Sequence, residues 1–371
     1  MKILKNYLVQ SLSLIIIFSF VTVMLQSCQE TKKDCKPDVI QAYELRINGQ
    51  ADSAKVLLEQ IVTEDSSCAL AWYELARTEQ YMGIGDMQAM MSHLDKAFIN
   101  INKAISNDPT NTSYLYFKGK LQSFDLYVKM MKGGGDVTEN LQQLENTFLK
   151  VLTIEPKAYG AKLSLVELFY FIPPDMGGDS IKAEKYAQEL ESEDLVYGAK
   201  AREILMPEDA DYIAYWTNLN KEHNDNAELI EALGRIYLFE NDPEKAWENF
   251  DKALRLDESK NYLYIEMGRF YTMQAMQGQI SVDSAVPLIV AEYDNYLESQ
   301  PEPCNPMKAW TKGQMAMLNF RTGNEDSGNA LLDEAKELDP YFSRAFGFPD
   351  QILFVPPDAT SYSFSYLSRP F

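Results

Sequence analysis

The stretch AELIEALGRIYLFENDPEKAWENFDKALRLDESK, residues 227–260, decides the fold. Ile230, Leu233 and Tyr237 recur every three or four positions in its first half, and Ala246, Phe250 and Ala253 do so in its second. Each half is therefore an amphipathic helix. Asn241-Asp242-Pro243 separates them, with Pro243 suited to the first position of the second helix, where its missing N–H costs nothing. Gly234 and Ala246 are small enough to let two antiparallel helices approach, while Tyr237 and Phe250 fill the space beside them. Such a hairpin cannot cover its own apolar face, so it needs neighbours of the same kind.

The neighbours are present. Residues 35–68 carry Ala42, Gly49, Ala54, Leu58 and Ile61 in the same frame, and residues 309–342 carry Ala316, Gly323, Gly328, Leu332, Ala335 and Pro340. Segments 69–110, 111–157, 158–192 and 261–303 fit with a longer connection between their two helices, and 193–226 fits more loosely. Pro109, Pro156 and Pro340 each follow an acidic residue after an apolar helix, where a proline closes one pair before the next begins. The 34-residue unit resembles the tetratricopeptide repeat. That resemblance implies an all-α, right-handed superhelical solenoid of about eight helix pairs over 35–342, in which the first helix of each pair lines an inner groove. Residues 343–371, rich in proline and aromatic side chains, depart from the frame and read as a tail. It either caps the last repeat, the reading we favour, or docks in a groove or on a partner.

The start of the chain is an address. Lys2 and Lys5 precede an apolar run from Ser11 to Leu25, short for a membrane span and suited to the core of a signal peptide. The run ends in Leu25-Gln26-Ser27-Cys28, which resembles a bacterial lipobox. The resemblance implies cleavage after residue 27, lipidation of Cys28 with palmitate-type chains, and anchoring in the outer membrane on its periplasmic or cell-surface face. Residues 28–34 then form a polar tether. The combination of signal and repeats is similar to lipoproteins of the Bacteroidota.

Composition narrows the chemistry. The 371 residues carry 34 Lys+Arg against 55 Asp+Glu, a net charge of −21, so the surface repels nucleic acid. The two histidines, His93 and His223, lie far apart, and no zinc spacing, phosphate loop or nucleophile–base pattern is present. No metal site, cofactor or catalytic residue is therefore expected, and the chain reads as a non-enzyme. Met87, Met90, Met91, Met130, Met131, Met273 and Met276 read as adaptable core rather than copper ligands. Cys35 and Cys68 occupy the first and last positions of the first unit and are candidates for a disulfide in an exported protein. Cys304 then has no partner and stands in Pro303-Cys304-Asn305-Pro306, which reads as an inert linker. Gly177-Gly178-Asp179 after Pro173-Pro174 forms a shaped loop, either a turn with a helix cap or an anion-binding nest.

Projecting the repeat frame inward gives a candidate groove of Tyr73, Arg77, Tyr81, Lys162, Phe169, Tyr170, Arg235, Phe239, Tyr262 and Arg269. Arg77, Arg235 and Arg269 share one frame position. Either they bind an extended segment or carboxylate of a protein partner, or they pair with local Glu74, Glu231 and Glu266. The expected function is a lipid-anchored envelope scaffold or adaptor that binds other envelope proteins or peptide segments. The alternative is a substrate-binding outer-membrane lipoprotein serving glycan or nutrient uptake.

Overall fold

A computed structural model describes residues 34–85, 89–132, 137–345 and 351–359. The signal segment, Cys28, the tether through 33, Met87, Gly133 to Gly135 and the aromatic run from Tyr362 to Tyr366 lie outside the described residues. The chain divides into Met1–Pro37 and Asp38–Phe371, and apart from the first two residues of the first helix the helix pairs belong to the second unit.

Among the described residues the fold is all-α, with sixteen α-helices and no strand. They run as eight consecutive helix pairs. These are α1 (Lys36–Ile47) with α2 (Ala51–Glu64), α3 (Ala69–Gly83) with α4 (Met90–Asn107), α5 (Thr112–Met131) with α6 (Thr138–Ile154), and α7 (Tyr159–Phe171) with α8 (Ser180–Glu193). Then come α9 (Leu195–Leu205) with α10 (Tyr212–Glu222), α11 (Ala227–Phe239) with α12 (Pro243–Leu256), α13 (Tyr262–Met276) with α14 (Val282–Glu298), and α15 (Asn305–Arg321) with α16 (Glu325–Leu338). Short 3-10 turns follow at Phe342–Arg344 and Gln351–Leu353.

Small residues set the approach of the helices. A methyl placed on Gly234 would lie 2.5 Å from the Phe250 ring, and one on Gly268 would lie 2.4 Å from Tyr293. The same contact recurs between Gly119 and Phe148. In each case the first helix gives up a side chain so that an aromatic ring of the second can press on its backbone. Helix starts are fixed by side chains that accept orphan backbone N–H groups. Asp179 accepts from Ile181 and Lys182, Asp194 from Val196 and Tyr197, and Asn226 from Glu228 and Leu229.

Two local readings of the sequence change. Helix α15 begins at Asn305 with Pro306 in its first turn, so Pro303-Cys304-Asn305-Pro306 runs directly into a helix instead of serving as a linker. The loosely matching pair α9–α10 is held by side chains instead of a small-residue seam. Buried Trp216 donates to Glu203 at 3.1 Å, and Tyr215 donates to the Ala199 carbonyl at 3.2 Å. Its Gly198 faces α8, where an added methyl would meet the Glu191 backbone at 2.6 Å.

The first and last pairs touch. Gly49, at φ +81 in the α1–α2 turn, sits so close to Leu338 that a methyl there would lie 1.8 Å from its carbonyl oxygen. Asn305 donates to the Asn48 carbonyl at 3.2 Å, and Tyr341 donates to Asp52 at 2.8 Å. Buried Tyr81 of α3 donates to Asp339. Asp339 in turn accepts from the backbone of Tyr341 and Phe342, which fixes the turn after α16. The expected tail therefore does two things. Ser343 packs on the last pair, as a cap would, while residues 352–355 cross to the first two pairs.

Candidate functional site

Two clusters of charge sit on first-helix faces. The first lies on α1 and α3 and is fully buried. Arg46 donates to Glu74 Oε1 through Nε at 2.9 Å and Nη2 at 2.7 Å. Arg77 approaches Glu74 Oε2 at 3.0 Å, an ion pair without hydrogen-bond alignment, and its Nε has no hydrogen-bond partner. Both guanidinium groups lie against rings, Arg46 over Tyr43 and Tyr81, and Arg77 over Tyr43 and Tyr73, at 5.3 to 5.8 Å. Buried arginine stays charged, so these donors need acceptors.

The C-terminal segment supplies them. Arg77 Nη2 donates to the carbonyls of Ile352 at 2.6 Å and Val355 at 2.5 Å. Arg46 Nη1 donates to Leu353 at 2.6 Å, and the Tyr43 hydroxyl donates to Phe354 at 2.5 Å. Four consecutive main-chain carbonyls are thus held by three side chains of the first two pairs.

The second cluster lies on α11, α13 and the turn between α12 and α13. Lys260 reaches Glu231 at 2.8 Å, Glu231 bonds Arg235 at 3.0 Å, Arg235 bonds Glu266 at 2.9 Å, and Arg269 bonds Glu266 at 3.1 Å. Tyr262 donates to Glu231 at 2.7 Å. This ladder carries three cations against two carboxylates in a strongly acidic chain. Burial pushes the Glu231 carboxyl up, but Arg235, Lys260 and the hydrogen bonds outweigh it and bring it to about 2. Burial opposes the charge on Arg235, and Glu266 with Glu231 overcomes it, so its pKa is raised. Arg269 is the open end, with a side chain 38 % exposed and one ion pair, to Glu266.

The projected groove residues separate into groups. Tyr73 and Tyr81 are buried in the core: Tyr73 packs on Tyr114 and Phe117, and Tyr81 packs on Phe342. Arg77 is buried under the chain's own C-terminal segment. Lys162 turns toward its own pair and binds Glu193 and Glu189, while Phe169 is buried against Tyr186. These five do not line an open groove, because the first helices are buried on more than one side. Tyr170 and Phe239 are exposed, and Arg235, Tyr262 and Arg269 meet in the second cluster. Each of the three arginines is paired with a glutamate of its own helix, as the local reading required.

Other candidates resolve locally. Gly177 and Gly178 spend their N–H groups on the Pro174 and Pro173 carbonyls, so the loop is a capped turn and not an anion nest. His93 bonds Glu79 at 2.8 Å, and Glu79 also pairs with Lys55 at 2.7 Å. Cys35 and Cys68 are both disulfide-bonded; Cys304 is a free thiol whose pKa burial raises. Among the described residues no group of His, Cys, Asp and Glu has the arrangement to hold a metal ion, and no helix is long and apolar enough to cross a membrane.

Sequence reasoning missed Arg46 and Tyr43. A signal for both existed: with Val39 and Ala42 they occupy the i, i+3, i+4, i+7 stripe of α1, so Arg46 stands where a core residue belongs.

No protein-family model matches the chain, and no curated protein does. Among solved structures, a tetratricopeptide repeat protein from Parabacteroides merdae is 15 % identical, with a TM-score of 0.37 over 81 % of this chain and 98 % of that one. Yeast Tom70 is 13 % identical, with a TM-score of 0.34 over 80 % of this chain and 74 % of that one. The P58(IPK) TPR domain is 17 % identical, with a TM-score of 0.25 over 83 % and 84 %. At these values the likeness assigns no function.

Proposed function

We propose that this protein is a lipid-anchored adaptor of the bacterial envelope, without catalysis of its own, that binds a segment of another protein on the α11–α13 face. The observation that carries the reading is the ladder from Lys260 to Arg269. It concentrates positive charge on one face of an acidic molecule and ends in a partly exposed arginine beside Glu266. Guanidinium donors of this kind suit carboxylates and main-chain carbonyls of an extended polypeptide. The lipobox-like Leu25-Gln26-Ser27-Cys28 supports anchoring through Cys28, with the outer membrane as the destination.

Site-specific photocrosslinking from the Arg269 region of the native, membrane-bound protein tests the partner. A single stoichiometric protein adduct is expected, and Arg269→Glu should abolish it. Absence of any protein adduct, with a thermal shift on adding oligosaccharide, would replace this reading by uptake of a glycan or nutrient. Metabolic palmitate labelling tests the anchor: label on the native protein and none on Cys28→Ser is the expected result.

A further inference from the structure

The contact between the first two pairs and residues 352–355 has the form of a receptor holding a peptide. Recognition is through main-chain carbonyls, four in a row, from Tyr43, Arg46 and Arg77. Ile352 and Leu353 bury their side chains against the same surface, and Phe354 packs on Phe342 at 5.7 Å. Carbonyls are common to every sequence, so such a site reads the main chain of a short apolar turn more than particular side chains. The donors are also committed: one glutamate, Glu74, pairs with two arginines, and Arg46 Nη1 and Arg77 Nη2 both donate to the segment. Vacated, the site would leave buried cationic donors without acceptors, a costly state that only another acceptor-bearing occupant relieves.

The geometry points to a main-chain-reading polypeptide site on Tyr43, Arg46 and Arg77 that the chain fills with its own residues 352–355. A short apolar turn of a second protein, offering the same run of carbonyls, enters by displacing them. The internal segment is then a competitive occupant that sets how strongly an incoming segment must bind. This site is separate from the α11–α13 ladder, and it stands or falls independently of it.

The test uses the full chain with a specific protease site between Ala345 and Gln351. After folding, the chain is cut and offered a fluorescent peptide spanning residues 351–359. The expected result is exchange into the cut protein with unchanged circular dichroism, at least tenfold more uptake than by uncut protein, and at least tenfold less uptake when Arg77→Met is added. Cutting that abolishes the cooperative melt would overturn the proposal, since the segment would then be an integral core element. A cut protein that stays folded but takes up no peptide overturns it equally. Equal uptake by cut and uncut chains would show that the internal segment does not occupy the site.

Discussion

Arg77 of α3 donates through Nη2 to the carbonyl of Ile352 at 2.6 Å, joining positions 275 residues apart. The same nitrogen reaches Val355, and the other arm of the guanidinium faces Glu74. A single side chain thereby connects the second helix pair, its internal ion pair and the end of the repeat array.

Replacing Arg77 by Met keeps the volume but removes the charge and the donors. Two carbonyls and one arm of Glu74 lose their partner in a buried setting. The expected loss is about 3 kcal/mol, in the range for breaking a buried ion pair. Denaturant unfolding should detect it, and residues 351–359 should become sensitive to proteolysis before the rest of the chain does. A midpoint unchanged from wild type would show that the contact contributes nothing net.

Gly49→Ala tests the junction of the ends separately from Arg77. The residue sits at φ +81, and its new methyl would enter the Leu338 carbonyl. Backbone strain and displacement together should cost roughly 2–3 kcal/mol. Gly323→Ala is the control, because it shares the positive φ, at +79, but has open space around it. The difference between the two melting temperatures isolates the contact between the first and last pairs.

The small-residue seam is tested at Gly234. A methyl there lies 2.5 Å from the Phe250 ring, so Gly234→Ala should cost about 1–3 kcal/mol by overpacking. Phe250→Leu in the same chain removes the colliding ring edge. The double variant should therefore be less destabilised than the sum of the two single variants, a coupling that a double-mutant cycle measures.

Acidity should act with opposite signs at two glutamates. Burial raises the Glu167 carboxyl to about 7, against the pull of Lys120, while its ordinary value is 4.5. The folded state thus keeps a proton that the unfolded chain has lost, so this contribution is present below 4.5 and is lost as pH rises through 7. Glu167→Gln should be stabilised relative to wild type at pH 8 by about 1–2 kcal/mol, less than the full linkage value because the group keeps solvent access. Glu231, held near 2, behaves in reverse: its contribution is present above 4.5 and is lost as pH falls toward 2. Melting curves of both variants between pH 3 and 8 should approach wild type at the acid end and depart from it toward pH 8 in opposite directions, Glu167→Gln upward and Glu231→Gln downward.

The sequence by itself determined the helix pairs. Period, small residues and proline punctuation are local quantities, and each pair buries its apolar stripe against neighbours a few tens of residues away. Residues 227–260 and 35–68 therefore appear in the structure within a few residues of their expected bounds. The pairing of Arg235 with Glu231 and of Arg269 with Glu266 was legible for the same reason, since three or four positions along a helix place side chains together. Only the tertiary structure decided which first-helix faces stay open. Nothing local to Tyr81 or Arg77 records that Asp339, Phe342 and residues 352–355 return to cover them. Those contacts span more than 250 positions and run largely through main-chain carbonyls, which every residue possesses and no sequence pattern marks. The one trace left in the sequence is Arg46 on the apolar stripe of α1, a charge in a core position that bonds Glu74 of the next pair and the Leu353 carbonyl from the far end of the chain.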